Sequence, residues 1–468
     1  MKKIFKNFLS LGLASVMSQL VSFLCVSYYA KILGVEVFGE ITLAQQIVLY
    51  FTTFTLFGIQ TYATRYLVKN KNKVNETVGK IVLFRLLVAT LSFAIICFIT
   101  LFMKRGSDFN KMLILFGCTI FPIAVNIDWL FNAFEAMKHN SIFLIFKNVL
   151  PAALIYVVIG RYKNYMVIPV ATFIGGALGF LYQVAIAKFK FNVKFKFKIT
   201  FDEVKKLCII GSPFLFSSML SMVNNNADKI ILGLSGNDYG LGIYQSAYVF
   251  ISFIISIIGL LFTAVFPSMS LYYYNKDKEK LNVLCNEVAK IIAVISVPMF
   301  VGGALLSREI ILLFYKNEYY DAYKPFIILM FYVSVLFVRE LYAYGLNAWG
   351  KEKKYMRIVF VSSIANLILN IILTPRYGYL CAAMITLVTE FINLFAMKAE
   401  ASKVTHISMY KGLLKAVVPS IIMGCAILIF KYYGINVVAT ILAAVAIYSV
   451  FIVLFKVITI QDIKKVLE

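Results

Sequence analysis

The chain has 468 residues, 61% hydrophobic and 16% aromatic but only 15% charged, which excludes a row of ordinary soluble domains. A helix crosses a bilayer with about 20 apolar residues, and 61% of 468, about 285 residues, is enough for about fourteen crossings and leaves little for a soluble catalytic domain. The excess of 46 Lys+Arg over 22 Asp+Glu, +24 in all, reads as the basic bias of cytoplasmic loops rather than as nucleic-acid binding.

Apolar runs bounded by polar residues fall at 8–33, 40–66, 78–102, 112–134, 143–160, 165–187, 208–234, 241–266, 287–306, 325–349, 356–374, 377–398, 413–430 and 435–455. The first follows Met1-Lys2-Lys3 but is too long for a signal peptide and shows no small-residue cleavage site, so it is expected to stay as an anchor. When the loops are assigned to alternate sides, the set containing both termini holds 32 Lys+Arg and the opposite set 11, which predicts cytoplasmic termini. Lys188–Lys198 alternates basic with mostly aromatic residues and is expected to be a cytoplasmic linker against anionic headgroups. The seven cysteines form no CxxC pair, and His139 and His406 are read as lying in short polar loops, so no metal site or His-based triad is assembled.

The two sides of the linker resemble each other. Gly12, Ser18, Ser22 and Ile32-Leu33-Gly34 match Gly211, Ser217, Ser221 and Ile231-Leu232-Gly233 at an offset of 199, and Gly39 and Ala44 match Gly242 and Ala247 at 203. Leu130–Phe134 and Gly345–Trp349 form a further pair. An even number of spans per repeat gives parallel copies, a transporter architecture with the pathway expected between them. The predicted fold is therefore an all-α polytopic bundle of about fourteen helices: an N-terminal lobe over 1–187, a linker over 188–206, a C-terminal lobe over 207–399, and an accessory pair with a tail over 400–468.

Ala30–Glu40, Gly58 ahead of Thr64-Arg65, the Asp128–Lys138 run and Asn226–Gly233 resemble the O-antigen and polysaccharide-repeat flippases. These belong to the multidrug/oligosaccharidyl-lipid/polysaccharide exporter superfamily. The resemblance covers nearly the whole chain and implies movement of an undecaprenyl-diphosphate-linked oligosaccharide from the cytoplasmic to the outer leaflet of a bacterial inner membrane by alternating access. The implied partners are that substrate, membrane lipids and other polysaccharide-assembly proteins. No cofactor is implied; a proton or sodium gradient or the membrane potential is the expected energy source.

Ionisable residues within spans are costly at mid-bilayer and therefore functional candidates. They are Arg85, Asp128, Asp228, Lys229, Arg339, Glu340 and Glu390, with Glu135 read as interfacial. Ser217, Ser221, Asn224 and Asp228 share one helical stripe, and Ser15, Ser18 and Ser22 share another; close helix packing is the alternative reading for the serines. A diphosphate with sugars asks for cations, donors and aromatic faces, for which Arg85, Lys229 and Arg339, then Tyr332, Tyr342, Tyr344 and Asn347, are the candidates. Six prolines in or beside spans, Pro122 to Pro298, permit bends. The competing functions are a drug or metabolite antiporter of the same superfamily and a membrane-embedded polysaccharide polymerase or ligase. The enzyme would need a large outward loop, whereas the longest here is about 306–325.

Overall fold

The computed structural model describes residues 2–103, 105–455 and 457; Lys104 and most of the C-terminal tail, both counted in the charge split, lie outside the described residues. Among the described residues, 13 helical stretches are long and apolar enough to cross a membrane. The count differs from the sequence expectation because the 50-residue stretch Glu352–Ala401 holds two helices, and two predicted spans, that meet at a kink. Gly378 divides it, with φ 71° and ψ −158°, a conformation open essentially to glycine alone. Among the described residues the fold is thus all-α, with fourteen helical segments long and apolar enough to cross. Helices follow from the solvent, because lipid offers no partner to backbone N–H and C=O groups.

The chain divides into two compact units, Met1–Leu234 and Ser235–Glu468. The first holds α1 (Lys2–Leu33), α2 (Val35–Leu56), α3 (Ile59–Lys69), α4 (Val74–Phe102), α5 (Ser107–Cys118), α6 (Ile120–Ala124), α7 (Asp128–Ala133), α8 (Lys138–Leu144), α9 (Leu150–Tyr162), α10 (Val167–Phe189) and α11 (Phe201–Leu234). The sequence reading put α11 at the head of the C-terminal lobe; here it packs on α2 and α3. A Cβ on Gly58 would overlap Phe214 of α11, one on Gly211 would meet Phe57, and Tyr50 donates its hydroxyl proton to the Met222 carbonyl at 3.3 Å.

The linker crosses the start of α4, where Asn75 accepts from the Lys194 N–H at 2.8 Å through its side chain and from the Lys196 N–H at 3.3 Å through its carbonyl. Its alternation is visible in burial: Val193 and Phe195 join the core around Trp129, while Lys194, Lys196 and Lys198 are exposed. His139 corrects the loop expectation, because it is buried in α8 with Nδ1 2.7 Å from the Tyr182 hydroxyl. His406 is exposed in the connection after Ala401, as expected.

The second unit holds α12 (Asp238–Tyr274), α13 (Lys278–Leu305), α14 (Ser307–Phe314), α15 (Tyr323–Ala348), α16 (Glu352–Ala401), α17 (Met409–Tyr432) and α18 (Val437–Leu454). The last two dock on α13 and α14: Tyr448 donates to the Val294 carbonyl at 2.7 Å, and Lys431 pairs with Glu309 at 2.8 Å. Their apolar seam is formed by Met423, Ile427, Ala444 and Leu306.

Candidate functional site

In the first unit two spans are broken, and the polar candidates collect at the breaks. Phe57 and Gly58 are both left-handed, with φ 52° and 64°, and separate α2 from α3. Residues 125–127 interrupt the fourth span between α6 and α7. Broken helices leave backbone groups that lipid cannot satisfy. Arg85 of α4 answers both breaks, donating to the Asn126 carbonyl at 3.1 Å and to Gln60 Oε1 at 3.0 Å while only 1% exposed. Its Nε is buried without a hydrogen-bond partner. Gln183 of α10 accepts the Ile127 N–H at 3.1 Å and braces the same segment from the other side.

Asp128 starts α7, where its carboxylate accepts the Trp129 N–H at 2.7 Å and its own N–H donates to Asn126 Oδ1 at 2.8 Å. Asn140 donates to the Asp128 carbonyl at 3.0 Å and to Asn132 at 2.9 Å. Asp128 is an opposite charge for Lys147 without forming an ion pair with it among the described residues. Lys147 lies in the π-helical turn Ile145–Val149, half-buried, and its side chain makes no hydrogen bond among the described residues. π turns widen a helix and re-aim its side chains. The sequence reading had counted Lys147 as a loop charge; its position one turn inside an apolar run, just before Pro151, was the available signal. The same turn accounts for one serine of the α1 stripe, since Ser18 accepts from Asn148 at 2.6 Å.

On α11, Asp228 and Lys229 are both buried, Asp228 Oδ1 accepts the Lys229 N–H at 2.8 Å, and Lys229 Nζ donates to Asn226 Oδ1 at 3.0 Å. Along the predicted stripe Ser217 and Ser221 are exposed and Asn224 is half-buried. Burial of the stripe thus increases toward Asp228.

In the second unit the structure joins three candidates that the sequence named separately. Arg339 Nε lies 2.6 Å from Glu390 Oε1 and a terminal nitrogen lies 2.9 Å from Glu340 Oε1, so one guanidinium bridges α15 to the second half of α16. Tyr344, one turn beyond Glu340, stacks on Phe262 with centroids 4.9 Å apart. Asn347 donates to its own helix at the Ala343 carbonyl, 3.0 Å away. Beside the triad runs a polar ladder that the sequence reading missed: Thr374 donates to Asn370, Asn370 to Asn366, and Asn366 to Thr389 at 3.0 Å. The four-residue spacing of Asn366, Asn370 and Thr374 was legible as one face of a helix. Among the described residues no group of three His, Cys, Asp or Glu side chains is placed to hold a metal.

Residues 4–272, more than half the chain, match the family described as polysaccharide biosynthesis protein. The chain belongs to the polysaccharide biosynthesis protein family. Residues 213–372 match a second family, MatE. The chain is 24% identical to a protein named for O-antigen transport in Shigella dysenteriae, over 84% of this chain and 99% of that one. It is also 24% identical to the capsular polysaccharide biosynthesis protein CapF of Staphylococcus aureus, over 84% and 97%. A solved structure of the lipid II flippase MurJ, inward closed, superposes with a TM-score of 0.77 at 18% identity, covering 95% of this chain and 98% of that one. The resemblance to the exporter superfamily is borne out, and with it a multi-pass membrane protein of transporter fold.

Proposed function

We propose that this polysaccharide biosynthesis protein is a flippase that moves an undecaprenyl-diphosphate-linked oligosaccharide from the cytoplasmic to the outer leaflet of a bacterial inner membrane by alternating access. The reading is carried by one observation: the likeness to the O-antigen and capsule proteins runs over 84% of this chain and nearly the whole of each relative, so it reflects the whole transporter and not a shared segment. Charged and amide side chains inside the spans of both units support a polar cargo. Of the cations assigned to the headgroup, Arg85 is enclosed, Lys229 is buried and donates to Asn226, and Arg339 is clamped by two carboxylates, so Lys147 is the better candidate for a phosphate contact in the first unit. The triad of one arginine and two glutamates is the corresponding candidate for coupling to a proton or sodium gradient, because its formal charge is −1 within the spans.

The test is leaflet-resolved lipid-linked precursor in a deletion strain complemented by the chain. Accumulation on the cytoplasmic leaflet, relieved by complementation, supports the flippase. The MatE match over 213–372 favours drug or metabolite antiport as the second reading. Altered drug resistance with normal glycan export would select it.

A further inference from the structure

A cavity lined by tyrosines and lysines, with Leu281 and Val404, lies at one end of the second unit. Its floor is the end of α12, Tyr272-Tyr273-Tyr274. Lys276 then takes a left-handed backbone, φ 58°, and the turn is closed by its N–H donating to the Tyr273 carbonyl at 3.1 Å and by the Asp277 N–H donating to the Tyr272 carbonyl at 3.0 Å. Lys278 opens α13 on the other side of that turn. Lys351, immediately before α16, is held by its N–H donating to the Leu346 carbonyl at 2.8 Å, and Lys403 enters from the connection after α16. Together these residues line a cavity of about 440 Å³, open to solvent, with no acidic residue in its lining.

Two neighbouring carboxylates are already engaged. Asp277 holds Lys280 at 3.0 Å and caps α13, and Glu400 holds Lys403 at 2.7 Å. Lys276 and Lys278 form no ion pair among the described residues. Ammonium groups gathered in one cavity repel, and the repulsion is relieved by an anion with several acceptor oxygens. Tyrosine adds hydroxyl donors and flat faces for the carbons attached to such an anion. Lysines scattered on a loop to set topology need neither a shared cavity nor three consecutive tyrosines.

We propose that this cavity is a binding site for a phosphate group carried on a small polar headgroup. Two sources share that chemistry: an anionic phospholipid of the surrounding leaflet, since lysine and tyrosine at helix ends are placed at headgroup level, and a phosphorylated compound free in water. The proposal stands whichever cargo the transporter moves.

The experiment uses the full chain in phosphatidylcholine nanodiscs, with phosphatidylglycerol doped in as one probe and inorganic diphosphate added as the other. The readout is protection of individual lysines from an amine-reactive label. Protection of Lys276, Lys278 and Lys351 well above that of the exposed Lys353 and Lys354 is expected. Protection by phosphatidylglycerol alone assigns the lipid source, and protection by diphosphate alone assigns the soluble one. Combined Lys276→Gln, Lys278→Gln and Lys351→Gln should weaken binding of the protecting probe by about fivefold per lysine, the fold-change that matches ~1 kcal/mol per cation at an anionic surface. Lys353→Gln with Lys354→Gln should leave it nearly unchanged. Equal protection of both sets, equal loss in both sets of variants, or no protection by either probe would overturn the proposal. The labelling on unaltered protein decides even if the triple variant does not fold.

Discussion

Arg339 Nε and Glu390 Oε1 meet at 2.6 Å, and because a second nitrogen of the same guanidinium reaches Glu340 at 2.9 Å, one cation neutralises parts of two carboxylates on two helices. Removing that cation strands both. Arg339→Gln should destabilise the protein by about 3–5 kcal/mol, the usual cost of breaking a buried pair from one side. Arg339→Gln combined with Glu390→Gln should recover a large part of the loss. Arg339→Lys should recover little, since one ammonium on a flexible stem does not reproduce two divergent N–H bonds. Thermal unfolding in detergent at matched protein levels measures all three, and a single variant as stable as the parent would show that the triad does not tie α15 to α16.

Arg85 calls for a different test, because its partners are a carbonyl and an amide and its exposure is 1%. A bracing role predicts that Arg85→Lys and Arg85→Gln lose stability alike, by about 1–3 kcal/mol, the cost of leaving buried polar groups unpaired. A headgroup role predicts that the lysine variant keeps transport and the glutamine variant loses it at unchanged stability. Melting temperature and precursor transfer measured on the same preparations separate the two.

Much of the fold was legible because lipid turns helix length into a count: among the described residues the fourteen apolar runs fall on helical segments long and apolar enough to cross, two of them broken. The boundary between the runs 356–374 and 377–398, set at Pro375-Arg376, falls beside Gly378, where the chain breaks; what escaped the pattern was the break at Gly58, since the 11-residue α3 reads as the tail of the span before it. The site was legible as a set of residue types and much less as a set of neighbours. Arg339, Glu340 and Glu390 were each named, yet residues 51 apart are joined only by packing of α15 on α16. Lys147 was missed because a charge near a span end looks like a loop charge until the π turn is seen.

Gly58 offers a backbone prediction. It is left-handed at φ 64°, and a Cβ there would overlap Phe214 of α11. Gly58→Ala should cost more than the ~1 kcal/mol of the left-handed conformation alone. Pairing it with Phe214→Ala should not restore stability, because the substituted Phe214 retains its own Cβ. Recovery in the double variant, measured by thermal unfolding, would show that the ring and not the backbone approach sets the cost.

Topology is checked by reporter fusions. The 32 to 11 charge split predicts cytoplasmic signal from fusions in 188–206 and 398–415 and outer signal from fusions in 306–325, the region of α14. Two loops reporting the wrong side would defeat this orientation.

The last prediction concerns Lys147, a cation on a π turn whose ammonium has no hydrogen bond among the described residues and has Asp128 as an opposite charge in the same unit. If its ammonium contacts the phosphate of the cargo, Lys147→Gln should lower outward transfer by about tenfold or more, matching the ~1.5–3 kcal/mol of a hydrogen bond to a charged group. Stability should change little, because no internal hydrogen bond is lost. Lys147→Arg should retain much of the transfer, since guanidinium also binds phosphate oxygens. A purely structural attraction between Lys147 and Asp128 predicts otherwise: Lys147→Gln would then lower protein levels, and adding Asp128→Asn would restore levels and transfer together. Leaflet-resolved precursor at matched expression decides. Restoration by Asp128→Asn would remove Lys147 from the cargo site and leave it as the counter-charge of the broken fourth span.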